Sequence, residues 1–158
     1  MQWSKLKTRV KSLICPELQN VIDFHVTQYR KAHSWISESW ITVNGERIFD
    51  CGSRTYYMAS WIESWRREEA SESCAWEDLK AALAEQEIHE PKEMGSAMRA
   101  YLYLPIEEAL SSNDPFIKAL AIVDRRVGKR RLKQLMVDEA EHSLVKAFYD
   151  LRCASLHI

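Results

Sequence analysis

Glycine and proline are scarce in this chain, four of each among 158 residues, which disfavours an all-β fold built on many tight turns. No apolar run approaches the ~20 residues that a membrane-spanning helix requires. The start, Met1-Gln2-Trp3-Ser4-Lys5-Leu6-Lys7, alternates charged with apolar residues where a signal peptide would carry an apolar stretch. Cys15, Cys51, Cys74 and Cys153 are widely spaced, with no Cys-x-x-Cys. The expectation is four reduced thiols in a cytoplasmic protein rather than a disulfide framework. There is no glycine-rich phosphate loop and no nucleophile elbow, so no catalytic residue and no cofactor is indicated. Neither charge dominates, because 22 basic residues meet 23 acidic ones and leave a net charge of −1.

What is present suffices for one domain spanning 1–158 with a core of its own. Trp3, Leu6, Val10, Leu13 and Ile14 fall at helical spacing among lysines, and Cys15-Pro16 ends that helix because proline bars the preceding residue from helical geometry. From Ile22 to Tyr29 the period shortens to two, with Ile22, Phe24 and Val26 on one side of a strand and His25 on the other. Trp40-Ile41-Thr42-Val43 and Arg47-Ile48-Phe49-Asp50-Cys51 flank Asn44-Gly45, a hairpin signal because Asn-Gly adopts positive φ at little cost. An N-terminal helix and a three-stranded antiparallel meander (1–52) are therefore expected, followed by a mostly helical half (53–158): an α+β fold.

In that second half, Tyr57, Met58, Trp61, Ile62 and Trp65 form the cleanest helical stripe of the chain. Further helices are expected at 76–87, 94–104, 105–110, from Pro115 with Asp114 as N-cap, and at 139–155.

The densest charge lies in Asp124-Arg125-Arg126-Val127-Gly128-Lys129-Arg130-Arg131-Leu132-Lys133, six cations within ten residues. If helix runs through Gly128, about 100° per residue puts Arg125, Arg126, Lys129, Arg130 and Lys133 within an arc of about 140°. Such a stripe suits a phosphate backbone or an acidic protein surface. It is equally a solvated face neutralised by the acidic middle of the chain, where Glu63, Glu68, Glu69, Glu72, Glu77, Asp78, Glu85, Glu87, Glu90 and Glu93 cluster. The same wheel sets Asp124 and Arg131 on the apolar side. Both are then structural, bonded to each other or to nearby backbone, and Arg131→Ala should cost about 3–5 kcal/mol.

Six tryptophans and six tyrosines are many for this length. Trp35, Trp40, Trp61 and Trp65 are candidates for an interface, where aromatics concentrate, although core packing would use them as readily. Glu139-Ala140-Glu141-His142 matches half of a carboxylate-bridged metal site without its second copy. Cys153 and His157 make only half of a zinc site, so no metal is expected.

Trp3-Ser4-Lys5-Leu6-Lys7, the segment from His25 to His33, the Trp40-to-Gly45 hairpin, Asp124 to Leu132 and Phe148 to Cys153 together resemble a family of uncharacterised bacterial proteins. The resemblance covers nearly the whole chain in scattered blocks. It implies a bacterial, soluble protein and no particular activity. The stretch Ser34 to Ser39 departs from the glycine-containing connection of that family.

The reading that follows is a non-catalytic cytoplasmic interaction protein of regulatory or immunity type, acting on a protein partner and not on a membrane, with its oligomeric state open. The alternative is a nucleic-acid-binding protein using 125–133 with Lys5, Lys7 and Lys11. A pI near 6.5 weighs against that alternative. An enzyme whose cleft leaves no local motif would draw on His25, Tyr29 and Arg152.

Overall fold

The computed structural model describes residues 1–28 and 36–158. Tyr29, Trp35 and the end of the segment running to His33 lie outside the described residues. Helix α1 (Trp3–Leu13) is followed by a short 3-10 turn at Pro16–Leu18 and by strands β1 (Ile22–Gln28), β2 (Ser37–Val43) and β3 (Glu46–Gly52). The helices α2 (Ser53–Glu69), α3 (Trp76–Glu85), α4 (Pro91–Tyr101), α5 (Ile106–Leu110), α6 (Pro115–Ile122), α7 (Lys129–Leu132) and α8 (Ser143–Leu156) complete the chain. This is the α+β arrangement expected, with the sheet in the order β1-β2-β3 and both pairs antiparallel.

Asn44 and Gly45 have φ of 52° and 85°, the two positive values a tight β2–β3 turn of matching twist demands. Pairing slips by one residue beside Ile41 and Thr42, so that Phe49 faces Ile41 while Arg47 faces Thr42. This bulge leaves Ile48 exposed and brings the Arg47 guanidinium to 4.1 Å from the Trp40 ring centre. One sheet face carries Ile22, Phe24, Ile41, Phe49 and Cys51 into a continuous buried cluster. Leu6 and Val10 of α1, Met94, Met98 and Tyr101 of α4, residues all along α6, and Leu144, Val145 and Phe148 of α8 complete that cluster. No residue of α2 or α3 belongs to it, among the described residues.

Asp114 caps α6 as expected, its carboxylate accepting from the N–H groups of Phe116 (2.9 Å) and Ile117 (3.2 Å). Several boundaries differ from the sequence expectation. Pro91 opens α4 at its first turn instead of merely ending the preceding helix, and α4 stops at Tyr101, short of Pro105. The last helix starts at Ser143 rather than Glu139, because His142 takes the capping position and accepts from the Leu144 N–H at 3.1 Å.

The larger correction concerns the basic run, where α6 ends at Ile122 and no helix passes through Gly128. The backbone of 123–125 instead forms an antiparallel bridge to 13–15: the Cys15 N–H donates to Val123 O (2.9 Å), and the Arg125 N–H to Leu13 O (2.8 Å). The Asp124 carboxylate then accepts from the Arg126 N–H at 2.7 Å. A side chain bonded two residues ahead offers the backbone an alternative to helix, and here it prevails.

Candidate functional site

Helix α2 is built inside out. Its inward row is Ser53, Tyr56, Ser60, Glu63 and Arg67, and its outward row is Tyr57, Met58, Trp61, Ile62 and Trp65. Each residue of the outward row is 53–61% exposed, and the Trp61 and Trp65 rings lie 4.5 Å apart on the surface. The inward polar groups other than the Tyr56 hydroxyl, which is buried without a hydrogen-bond partner among the described residues, are satisfied locally. The Ser53 hydroxyl donates to Ser37 O at 2.8 Å and accepts from the Ser37 N–H at 3.0 Å, fastening the start of α2 to β2. Buried Glu63 is clamped by Arg66 (2.8 Å) and Arg67 (3.0 Å), and Arg66 also holds Glu72 at 2.9 Å. The Arg66 hydrogen bonds outweigh burial and, with Arg67, hold the Glu63 carboxyl below its usual range. Tyr56 meets Trp76 of α3 edge-on, with the two ring centres 6.1 Å apart, and Trp76 remains half exposed. Of the four tryptophans singled out from the sequence, Trp61 and Trp65 thus share one exposed face. Trp40 lies elsewhere, stacked on His25 across the β1–β2 pair at 5.0 Å and an angle of 7°.

The basic segment is dispersed. Arg126 pairs with Asp124 at 2.7 Å, and Asp124 is fully buried, also accepting from the Tyr101 hydroxyl. Burial opposes ionisation of Asp124, but the hydrogen bonds from Arg126 and Tyr101 prevail and hold its carboxyl below the usual range. Arg131 does not pair with Asp124. It reaches Glu107 of α5 at 2.5 Å, in a contact open to solvent on both sides. The wheel misplaced it because the bridge at 123–125 resets the phase. Arg125, Lys129, Arg130 and Lys133 are exposed, on a turn and a short helix rather than on one stripe. Lys7 and Lys11 are taken up by Asp23, at 2.8 and 3.2 Å.

A second polar constellation was not visible in the sequence. His89, ahead of α4, and His142, capping α8, approach through their Nε2 atoms at 3.0 Å, and His89 Nδ1 lies 2.8 Å from the Glu93 carboxylate. Because His142 Nδ1 accepts from Leu144, its proton sits on Nε2 and is donated to His89, whose own proton then sits on Nδ1 and is donated to Glu93. Every ring nitrogen is engaged, and Phe49 and Phe116 wall the pair. Burial pushes the His142 imidazole below its ordinary value, against the pull of Glu87 and Glu141 and with the push of His89. A groove of about 430 Å³ between α3, α4 and the start of α6 opens onto His89 and Glu93, with Lys80 holding Glu93 at 3.0 Å. The signal in the sequence was slight: His89 and Glu93 are four residues apart, but His142 is 53 residues away.

The other sequence candidates do not converge. His25 bonds Thr42 Oγ1 at 3.0 Å on the outer sheet face. Arg152 is buried on α8, donating to Val127 O at 3.1 Å. Glu141 binds Lys118, and no cluster of three metal-binding side chains occurs among the described residues. No helix among them is long and apolar enough to cross a membrane.

Neither a curated protein nor a solved structure matches this chain. A family model does match, over residues 2–153, and the chain belongs to the SF0329 protein family.

Proposed function

We propose that this member of the family is a non-catalytic, single-domain interaction protein of the cytoplasm, a regulatory or immunity-type module that docks a protein partner on the outward face of α2. The observation that carries the reading is the inverted helix. A 17-residue helix turns two tryptophans, a tyrosine, an isoleucine and a methionine to water while burying Ser53, Tyr56 and Glu63. Monomeric proteins rarely expose contiguous apolar patches beyond about 300–600 Å², and tryptophan and tyrosine are the residues that anchor interfaces. The four free thiols support an intracellular setting.

The test is affinity capture from a bacterial extract with the wild-type chain and a Trp61→Ala/Trp65→Ala variant. A stoichiometric protein that survives nuclease and is lost with the variant is the expected result. Equal recovery by both baits would refute the reading.

A second reading keeps one specific observation. Arg125, Lys129, Arg130 and Lys133 are exposed and make no ion pair among the described residues. Four such cations on a nucleic acid would give a log–log salt slope of about −3.6. Recovery that collapses with nuclease would move the function to that segment.

A further inference from the structure

We infer that the partner of the α2 face is a second copy of this chain, packed antiparallel about a two-fold axis near Trp61. This rests on the reading of α2 as an interaction face and goes further by naming what covers it. The charge pattern along the exposed row selects that partner. Arg54, Met58, Trp61, Trp65 and Glu68 succeed one another at steps of four and three residues, the spacing of a helix seam, with Tyr57, Ile62 and Glu69 flanking them. The ion pairs of this helix use Glu63, Arg66, Arg67 and Glu72, which leaves Arg54 at one end and Glu68 and Glu69 at the other exposed and unpaired among the described residues.

Arg54 and Glu68 stand seven residues to either side of Trp61. A two-fold contact is self-complementary: if residue i meets residue j, then j meets i. Laid antiparallel, each Arg54 faces Glu68 and Glu69 of the other copy, Tyr57 and Met58 face Trp65, and the Trp61 side chains meet near the axis. Laid parallel, Glu68 and Glu69 would face their own copies, and like charges would repel. The row therefore selects one orientation as well as one partner. Seventeen residues at about 1.5 Å rise make a seam of about 25 Å. That is a contact at the small end of the interface range, for which a dissociation constant on the order of micromolar is expected.

Sedimentation velocity of the full chain, from about 1 to 200 µM, tests this across the expected range. The wild type should pass from monomer to dimer. Trp61→Glu, at a position already open to solvent, should stay monomeric with an unchanged circular dichroism spectrum, because the axis would bring two carboxylates together. Arg54→Glu alone should weaken the dimer at least tenfold, and so should Glu68→Arg/Glu69→Arg. All three changes in one chain should restore it, since the pairing is only exchanged. A monomeric wild type throughout, a dimer indifferent to Trp61→Glu, or a charge exchange that fails to restore association would each overturn the inference. If a monomeric chain still captured a different protein through Trp61 and Trp65, self-pairing would fall while the interaction reading stood. Retention on anionic phosphatidylglycerol vesicles that Trp61→Glu abolishes, in a chain that stays monomeric, would assign the face to a lipid surface and overturn both.

Discussion

Helices α2 and α6 are built from similar material and treated in opposite ways. Phe116, Ile117, Leu120 and Ile122 of α6 are buried among α4, α5 and α8, while Trp61, Ile62 and Trp65 of α2 face water. The difference lies in the neighbours. Helix α6 is enclosed by apolar faces, whereas the main neighbours of α2 are β3 and α3, and its inner side is held by the Ser53 bonds to Ser37 and by the Glu63 clamp. Apart from the Tyr56 hydroxyl, the inward polar groups are satisfied, so the row is buried at modest cost and the aromatic row need not turn inside. A fold stabilised elsewhere can then present an apolar face to an external surface.

Removing one residue from the core that encloses α6 and one from the outward face of α2 gives the sharpest contrast. Phe148→Ala should cost about 3–5 kcal/mol in urea unfolding, as for a large side chain lost from a closed core. Trp65→Ala should change stability by no more than about 0.5 kcal/mol while abolishing capture of the partner. Equal losses of stability would mean that α2 is part of the core after all.

Next in size is the polar anchor of the body. Asp124→Ala removes the acceptor for Arg126 and Tyr101 and should cost about 2–3 kcal/mol, less than for a fully buried pair because Arg126 can turn into solvent. Arg131→Ala should cost less than about 1 kcal/mol, since its pair with Glu107 is exposed. A larger cost for Arg131 than for Asp124 in the same assay would reverse the assignment of the buried partner.

The smallest effect is a dependence on pH. The folded state holds His142 below its ordinary pKa, so the unfolded chain binds the proton first as pH falls. The associated stability is fully present above about pH 6.5 and is lost as pH falls below that value toward the folded pKa. His142→Asn keeps a side chain able to cap α8 and removes the titrating group, so the urea midpoint should drop less between pH 7 and 5 than in the wild type. An unchanged slope would locate the titration elsewhere.

Local chemistry was legible at the strongest turn and cap signals, though not at Asp124 or His142, whose side chains bond backbone two residues ahead. Asn44-Gly45 makes its turn, Asp114-Pro115 starts its helix, and Cys15-Pro16 ends α1. The meander followed by helices came from the change of period at Ile22 and from those breakers. Trp61 and Trp65 were recognisable as members of one helical stripe, but periodicity carries no sign, and an apolar row reads the same whether it points at a core or at solvent. The helical wheel over 124–133 failed because it assumed that helix continues. The backbone of 123–125 bonds instead to residues 13–15, more than a hundred positions away, and no local propensity reports that bridge. The His89–His142 contact was hidden for the same reason.

The amino-acid sequence alone thus determined the meander, most of the helices, their order and the α+β class, since caps, turns and periodicity act over a few residues along the chain. The tertiary structure decided that Asp124 answers to Arg126, that two histidines form a hydrogen-bonded chain to Glu93, and that α2 wears its aromatics outside. Those outcomes depend on which surfaces meet after the chain folds back on itself, where burial and hydrogen-bond satisfaction across long separations outweigh local preference.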